Sequence, residues 1–111
     1  MFWWGGSLKV KRDTVPITTN VVQTINVGFK PTSIVINLQN GSNFMFMCYD
    51  ENISDYPIKR GNNTGGANYV TRGANPNTAT NLLRSVTDTG FTIQFTANSW
   101  GTEFTYVAVG S

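Results

Sequence analysis

The chain has 111 residues and a formal charge of +2 from eight basic and six acidic side chains. That is enough for one core and too little clustered charge for a phosphate-tracking surface, so neither a two-domain protein nor a nucleic-acid partner is expected. Only 13% of the residues are charged, against about 25% in an average domain, and Asn and Thr make up roughly a quarter of the chain. With 11 glycines, this mixture favours strands and turns over helices.

Phe2, Trp3 and Trp4 open the sequence ahead of a Gly-Gly-Ser hinge. We read residues 1–7 as an aromatic, glycine-rich N-terminal segment and 8–111 as the folded domain. Exposed aromatics of this size are sticky, so the three are expected to be covered, with a neighbouring chain as a candidate partner. The opening lacks the basic n-region and long apolar core of a signal peptide, and no run is long enough for a membrane span. No membrane insertion is therefore expected.

A first strand is expected around Leu8 to Arg12, where the alternation of "LKVKRD" reads as the wetted face of a strand. A second strand follows within "VPITTNVVQTINV", with Val21, Gln23, Ile25 and Val27 on one face. In "INVGFKP" the strand then meets a corner. Gly28 permits an unusual backbone angle, Phe29 can plug the end of the core, and Pro31 interrupts pairing because it has no N–H.

"SIVINLQ" sets Ile34, Ile36 and Leu38 on one side, and "NFMFMCY" follows after "NGS". Asn40-Gly41 offers the positive φ angles of a tight hairpin, so strands over 33–39 and 43–49 should pair antiparallel. Cys48 is the only cysteine and lies in an apolar run, where a thiol acts as a small hydrophobe.

From Asp50 to about Asn81 the periodicity disappears, leaving a long segment rich in Asn, Gly and Thr with Tyr69-Val70 as the one short strand candidate. A connection of that length in a small domain is usually functional or mobile. A run "LLRSVTD" precedes a second glycine-aromatic corner at Gly90-Phe91, which opens the alternating strand "FTIQFTA". "EFTYVAVG" closes the chain, with Phe104, Tyr106 and Ala108 on one face. Six to eight short strands separated by turns give an all-β fold: a single antiparallel β-sandwich, jelly-roll-like, with a long Asn/Gly/Thr-rich loop.

Chemistry-bearing residues are sparse. There is no histidine, which removes the usual general acid-base and triad arrangements and the commonest metal ligand, so no enzyme and no cofactor are expected. Asp50, Glu51 and Asp55 form the one acidic cluster. It could serve as a carboxylate pair or as oxygen ligands for calcium, but it lacks a regular calcium-loop spacing, and a solvated turn is the plainer reading. Sequons at Asn40, Asn52 and Asn62 are expected by chance in such a composition. Tyr49, Tyr56, Tyr69 and Trp100 stand in or beside loops containing Asn and Thr, so they are candidates for stacking on a sugar face. The competing structural roles are a pinned hairpin turn for Trp100 and a loop anchor for Tyr69.

The order "TINVGFKPTSIVINLQ", hairpin, polar middle, "TGFTIQF" and "EFTYVAVG" resembles the small β-rich domains of bacteriophage tail, baseplate and fibre proteins. The resemblance spans roughly residues 20 to 110 and rests on Gly28, Phe29, Lys30, Pro31, Gly90, Phe91, Tyr106, Ala108 and Gly110. It implies a virion structural protein made in the bacterial host cytoplasm. Its implied partners are copies of itself, including a trimer, and neighbouring virion proteins, with a role in assembly or host attachment. Two alternatives stay open: a lectin-like module for a bacterial surface glycan, and a capsid decoration or head-fibre protein. The polar middle segment varies freely in such proteins, so the resemblance assigns no binding residue to it.

Overall fold

A computed structural model describes residues 8–41, 43–54, 57–64, 67–72, 82–95 and 101–111 of the chain. Nine strands run in order: β1 (Lys9–Pro16), β2 (Val22–Asn26), β3 (Pro31–Asn40), β4 (Asn43–Asp50), β5 (Ile58–Thr64), β6 (Ala67–Arg72), β7 (Leu82–Val86), β8 (Gly90–Gln94) and β9 (Glu103–Gly110). They form a six-stranded sheet in the order β1-β9-β3-β4-β5-β6 and a three-stranded sheet in the order β2-β8-β7. Every ladder within them is antiparallel. The first strand pairs with the last and the second with the last but one, which is the wrapping that makes a jelly roll. The run β3-β4-β5-β6 is instead a simple meander.

The two sheets bury one face each against the other, because alternate residues of β3, β8 and β9 are apolar. Ile34, Ile36 and Leu38 of β3 meet Phe91, Ile93 and Phe95 at the end of β8, with Phe104, Tyr106 and Ala108 of β9 beside them, all buried. Phe91 stands edge-on to Tyr106 with ring centroids 5.3 Å apart and an interplanar angle of 79°. Phe95 packs on Phe104 at 5.8 Å. Such pairs contribute about 0.5–1.5 kcal/mol each beyond the area they bury. β1 is an edge strand of the larger sheet, and its residues stay exposed apart from Val15, which packs against the core. It extends to Pro16, beyond the expected end at Arg12.

The corner after β2 is built as its residues dictate. Gly28 has φ +88° and its N–H is held by Asn26 Oδ1 at 2.9 Å, while Val27 N–H donates to the Thr89 carbonyl at 2.8 Å. Phe29 is buried and lies on Gly110, where an added Cβ would stand 2.6 Å from Phe29 Cδ2 and 2.7 Å from the Lys30 carbonyl oxygen. Gly90 is equally tight: a Cβ there would overlap the Ile25 carbonyl oxygen of the paired strand β2. The residues of both glycine-aromatic corners are thus locked together through β2, β8 and β9.

Pro31 does not end pairing as expected. It starts β3 opposite Gly110, the position in a strand where a missing N–H is tolerated. The register slips between Pro31 and Ser33, and the Thr32 hydroxyl donates to the Val109 carbonyl across the irregularity at 3.2 Å.

The β3–β4 hairpin forms as read, but Asn40 is still paired, with Asn43, and of the expected Asn40-Gly41 pair the left-handed angle falls on Gly41 (φ +63°) alone. Residues 58–72 carry two strands, β5 and β6, where the sequence shows only the Tyr69-Val70 candidate. Gln23 braces the crossing from β1 to β2, accepting from Thr18 N–H and donating to the Pro16 carbonyl, both at 2.9 Å.

Candidate binding face

Because strand residues alternate, the outer face of the six-stranded sheet displays the residues that β3, β4 and β9 do not bury. Across the ladders, Thr14 of β1 lies opposite Thr105, Thr105 opposite Asn37, Asn37 opposite Phe46, and Phe46 opposite Gly61. One step along, Gln39 of β3 lies opposite Phe44 of β4. One step the other way, Val107, Val35 and Cys48 follow one another.

Three large apolar side chains on this face are unusually open for a sheet interior: Val35 is 46% exposed, Phe44 42% and Phe46 39%. Singly exposed apolar residues are ordinary, but neighbours on one face form a patch. Phe46 is held in a particular way. Its ring lies across β5 over Gly61, occupying the space of the missing side chain, with Cε2 3.0 Å from where a Cβ would stand. Gly61 is buried in consequence. This is aromatic cover of a strand glycine, which repairs a weak ladder position and leaves an aromatic face in solvent.

Beside Phe44 the face is hollowed. One depression of about 410 Å³ is lined by Asn37, Gln39, Phe44, Glu103 and Thr105, among others. A second of about 400 Å³ adjoins it through Asn37 and Thr105 and reaches Arg12, Thr14 and Val107. Three side chains are fixed by hydrogen bonds: the Thr14 and Thr105 hydroxyls lie 3.2 Å apart, and Gln39 Nε2 donates to the Gly41 carbonyl at 3.1 Å. The arrangement offers flat apolar surface next to amides, hydroxyls and a carboxylate, on rigid strands rather than loops.

Among the residues named from sequence, Tyr49 alternates to the inner side and packs against the core, opposite Ile34 and Ile58. Burial raises its hydroxyl pKa above the ordinary 10.0, with the Glu51 and Asp50 charges adding to the effect. Tyr69 lies in β6 in register with Asn62, and its side chain is outside the described residues, as are Tyr56, Trp100, Phe2, Trp3 and Trp4. In the acidic cluster, Asp50 Oδ1 accepts the Asn52 N–H at 2.9 Å and the Asp50 carbonyl accepts Ile53 N–H at 3.2 Å, the geometry of a local turn. Asp55 is outside the described residues. Cys48 is half-buried on the outer face instead of in the core. Arg60, opposite Met47, is half-buried, and burial lowers its guanidinium pKa.

The residues that sequence reading missed are Phe44, Phe46 and their polar neighbours Asn37, Gln39 and Thr105. The available signal was Gly61 inside a strand, since a strand glycine often marks close approach by another group.

Fold and face together define an antiparallel β-sandwich with one hollowed, aromatic-bearing outer surface. Compared with known proteins, the chain matches no family model, and no curated protein or solved structure is significantly similar to it.

Proposed function

We propose that the chain is a non-enzymatic structural component of a bacteriophage or prophage particle, in the tail, baseplate or fibre, acting in assembly or host attachment. The observation that supports this reading is the locking of Phe29 on Gly110 and of Gly90 on Ile25. Residues on which the resemblance rests meet in one place and set the sandwich, so the sequence pattern has a shared physical cause rather than a scattered one. A rigid small sandwich suits arrangement in symmetric copies, and the exposed Val35, Phe44 and Phe46 supply a surface for contact. The absence of histidine agrees with a part that binds and does not catalyse.

The test is fractionation of particles released by a bacterium that makes the chain. Co-sedimentation with particles through a density gradient, retained after a high-salt wash, is expected. Recovery of the chain only among free proteins at the top of the gradient would remove the proposal. A second reading, recognition of a surface glycan, is favoured by Phe44 lining a hollow together with Asn37, Gln39 and Thr105, and by the exposed Phe46 two residues along the same strand.

A further inference from the structure

We infer that the hollow on the outer face of the six-stranded sheet is a binding site for an uncharged glycan, with Phe44 in its lining and Phe46 on the face adjoining it as stacking platforms, and Asn37, Gln39 and Thr105 as the polar rim. This rests on the glycan reading above and assigns it a place and a chemical class. It also moves that role away from the loop aromatics.

Three observations select the occupant. The first is shape: two neighbouring depressions of about 410 and 400 Å³, with Asn37 and Thr105 in both linings, are each of small-ligand size, whereas a partner protein is met by a broad surface. The second is the pattern of groups. Pyranose rings present C–H faces edged by hydroxyls, and the outer face sets aromatic residues of β4 in register with amides of β3: Phe44, which lines the hollow, opposite Gln39, and Phe46, which adjoins it, opposite Asn37. The two rings lie two residues apart on one strand, ~6.7 Å along it, so they can serve successive units of a chain.

Charge is the third. In the hollow beside Phe44 the ionisable lining group is Glu103, and in the adjoining one Arg12 is accompanied by Asp13. A carboxylate at one end and a balanced pair at the other disfavour uronic, sialic or phosphorylated sugars and suit a neutral one. The strands also supply preorganisation. Phe46 is seated on Gly61 and Thr105 is held by Thr14, so little side-chain freedom remains to be lost on binding.

The experiment uses the full chain on an array of neutral and acidic bacterial glycans, followed by titration of the best neutral oligosaccharide against the wild type and the Phe46→Leu and Asn37→Ala variants. Leu keeps apolar bulk over Gly61 but lacks a flat face, and thermal unfolding checks that each variant is folded. Binding of a neutral glycan is expected, weakened about tenfold or more by Phe46→Leu, the usual loss for one stacked ring contact. Neutral-glycan binding that both folded variants retain in full would overturn the site while leaving glycan recognition intact. No binding to any array member overturns both. Sedimentation of the wild type as a dimer, dissolved by Phe46→Asp, would overturn the assignment in favour of a second copy of the chain on this face.

Discussion

The tightest backbone approach in the sandwich predicts a large effect from one methyl group. Gly90 opens β8 opposite Asn26 of β2, and a Cβ added there would overlap the Ile25 carbonyl oxygen and stand 2.9 Å from its carbon and 3.2 Å from Asn26 Cα. All three are backbone atoms, which cannot swing aside as a side-chain tip can. Gly90→Ala must therefore part β2 from β8 at the point where the Thr89 carbonyl accepts from Val27 and Gly28. The cost is about 3 kcal/mol, the upper end for overpacking, or roughly 10–20 °C in Tm for a domain of this size. Gly28→Ala is the control. Its Cβ would meet nothing within 4 Å, but φ is +88°, so it costs only backbone strain, about 1–2 kcal/mol. Urea unfolding of both variants, with unchanged m, measures the difference. If Gly28→Ala proved the more damaging, or Gly90→Ala fell within about 1 kcal/mol of wild type, the reasoning about the locked corner would be refuted.

Adjacent residues of β3 should behave oppositely. Ile36→Ala, at a fully buried position, should cost about 2–5 kcal/mol in chemical denaturation. Val35→Ala, on the exposed face, should stay within about 0.5 kcal/mol of wild type. Tyr106 has its pKa raised above 10.0 by burial and by the nearby Asp13. The unfolded chain ionises this group first, so its contribution is complete below pH 10 and is lost as pH rises past 10.0 through the folded value. Stability followed against pH with tyrosinate absorbance should show a shallower alkaline decline in Tyr106→Phe than in wild type. Gly61→Ala should displace the Phe46 ring, a side chain that can move, and therefore cost less in urea unfolding than Gly90→Ala.

Where one face of a strand is buried, the sequence carries the fold openly. Ile34, Ile36 and Leu38, then Phe91, Ile93 and Phe95, then Phe104, Tyr106 and Ala108 alternate with polar or less buried residues, and all nine are buried. β5 was illegible for the opposite reason. "IKRGNNT" has ladders to β4 and β6 but a single apolar side chain, Ile58, and its glycine is covered by a ring from the neighbouring strand, so its sequence shows no hydrophobic period. The outer face of β4 is hidden by a different ambiguity. In "FMFM" both alternating sets are apolar, and hydrophobicity cannot say that Met45 and Met47 go inward while the larger Phe44 and Phe46 go outward. Only the register with β3, whose Ile36 and Leu38 face the core, decides it. Aromatic residues among Asn and Thr suit sugars, yet Tyr49 is partly buried and packs against the core.

The claim that this chain is an architectural part of a phage or prophage particle is tested most directly by electron cryomicroscopy of particles purified from a bacterium that produces it. The account predicts density matching the six- and three-stranded sandwich at symmetry-related positions in the tail, baseplate or fibre. Fully interpreted particles with no such density at any position would contradict it.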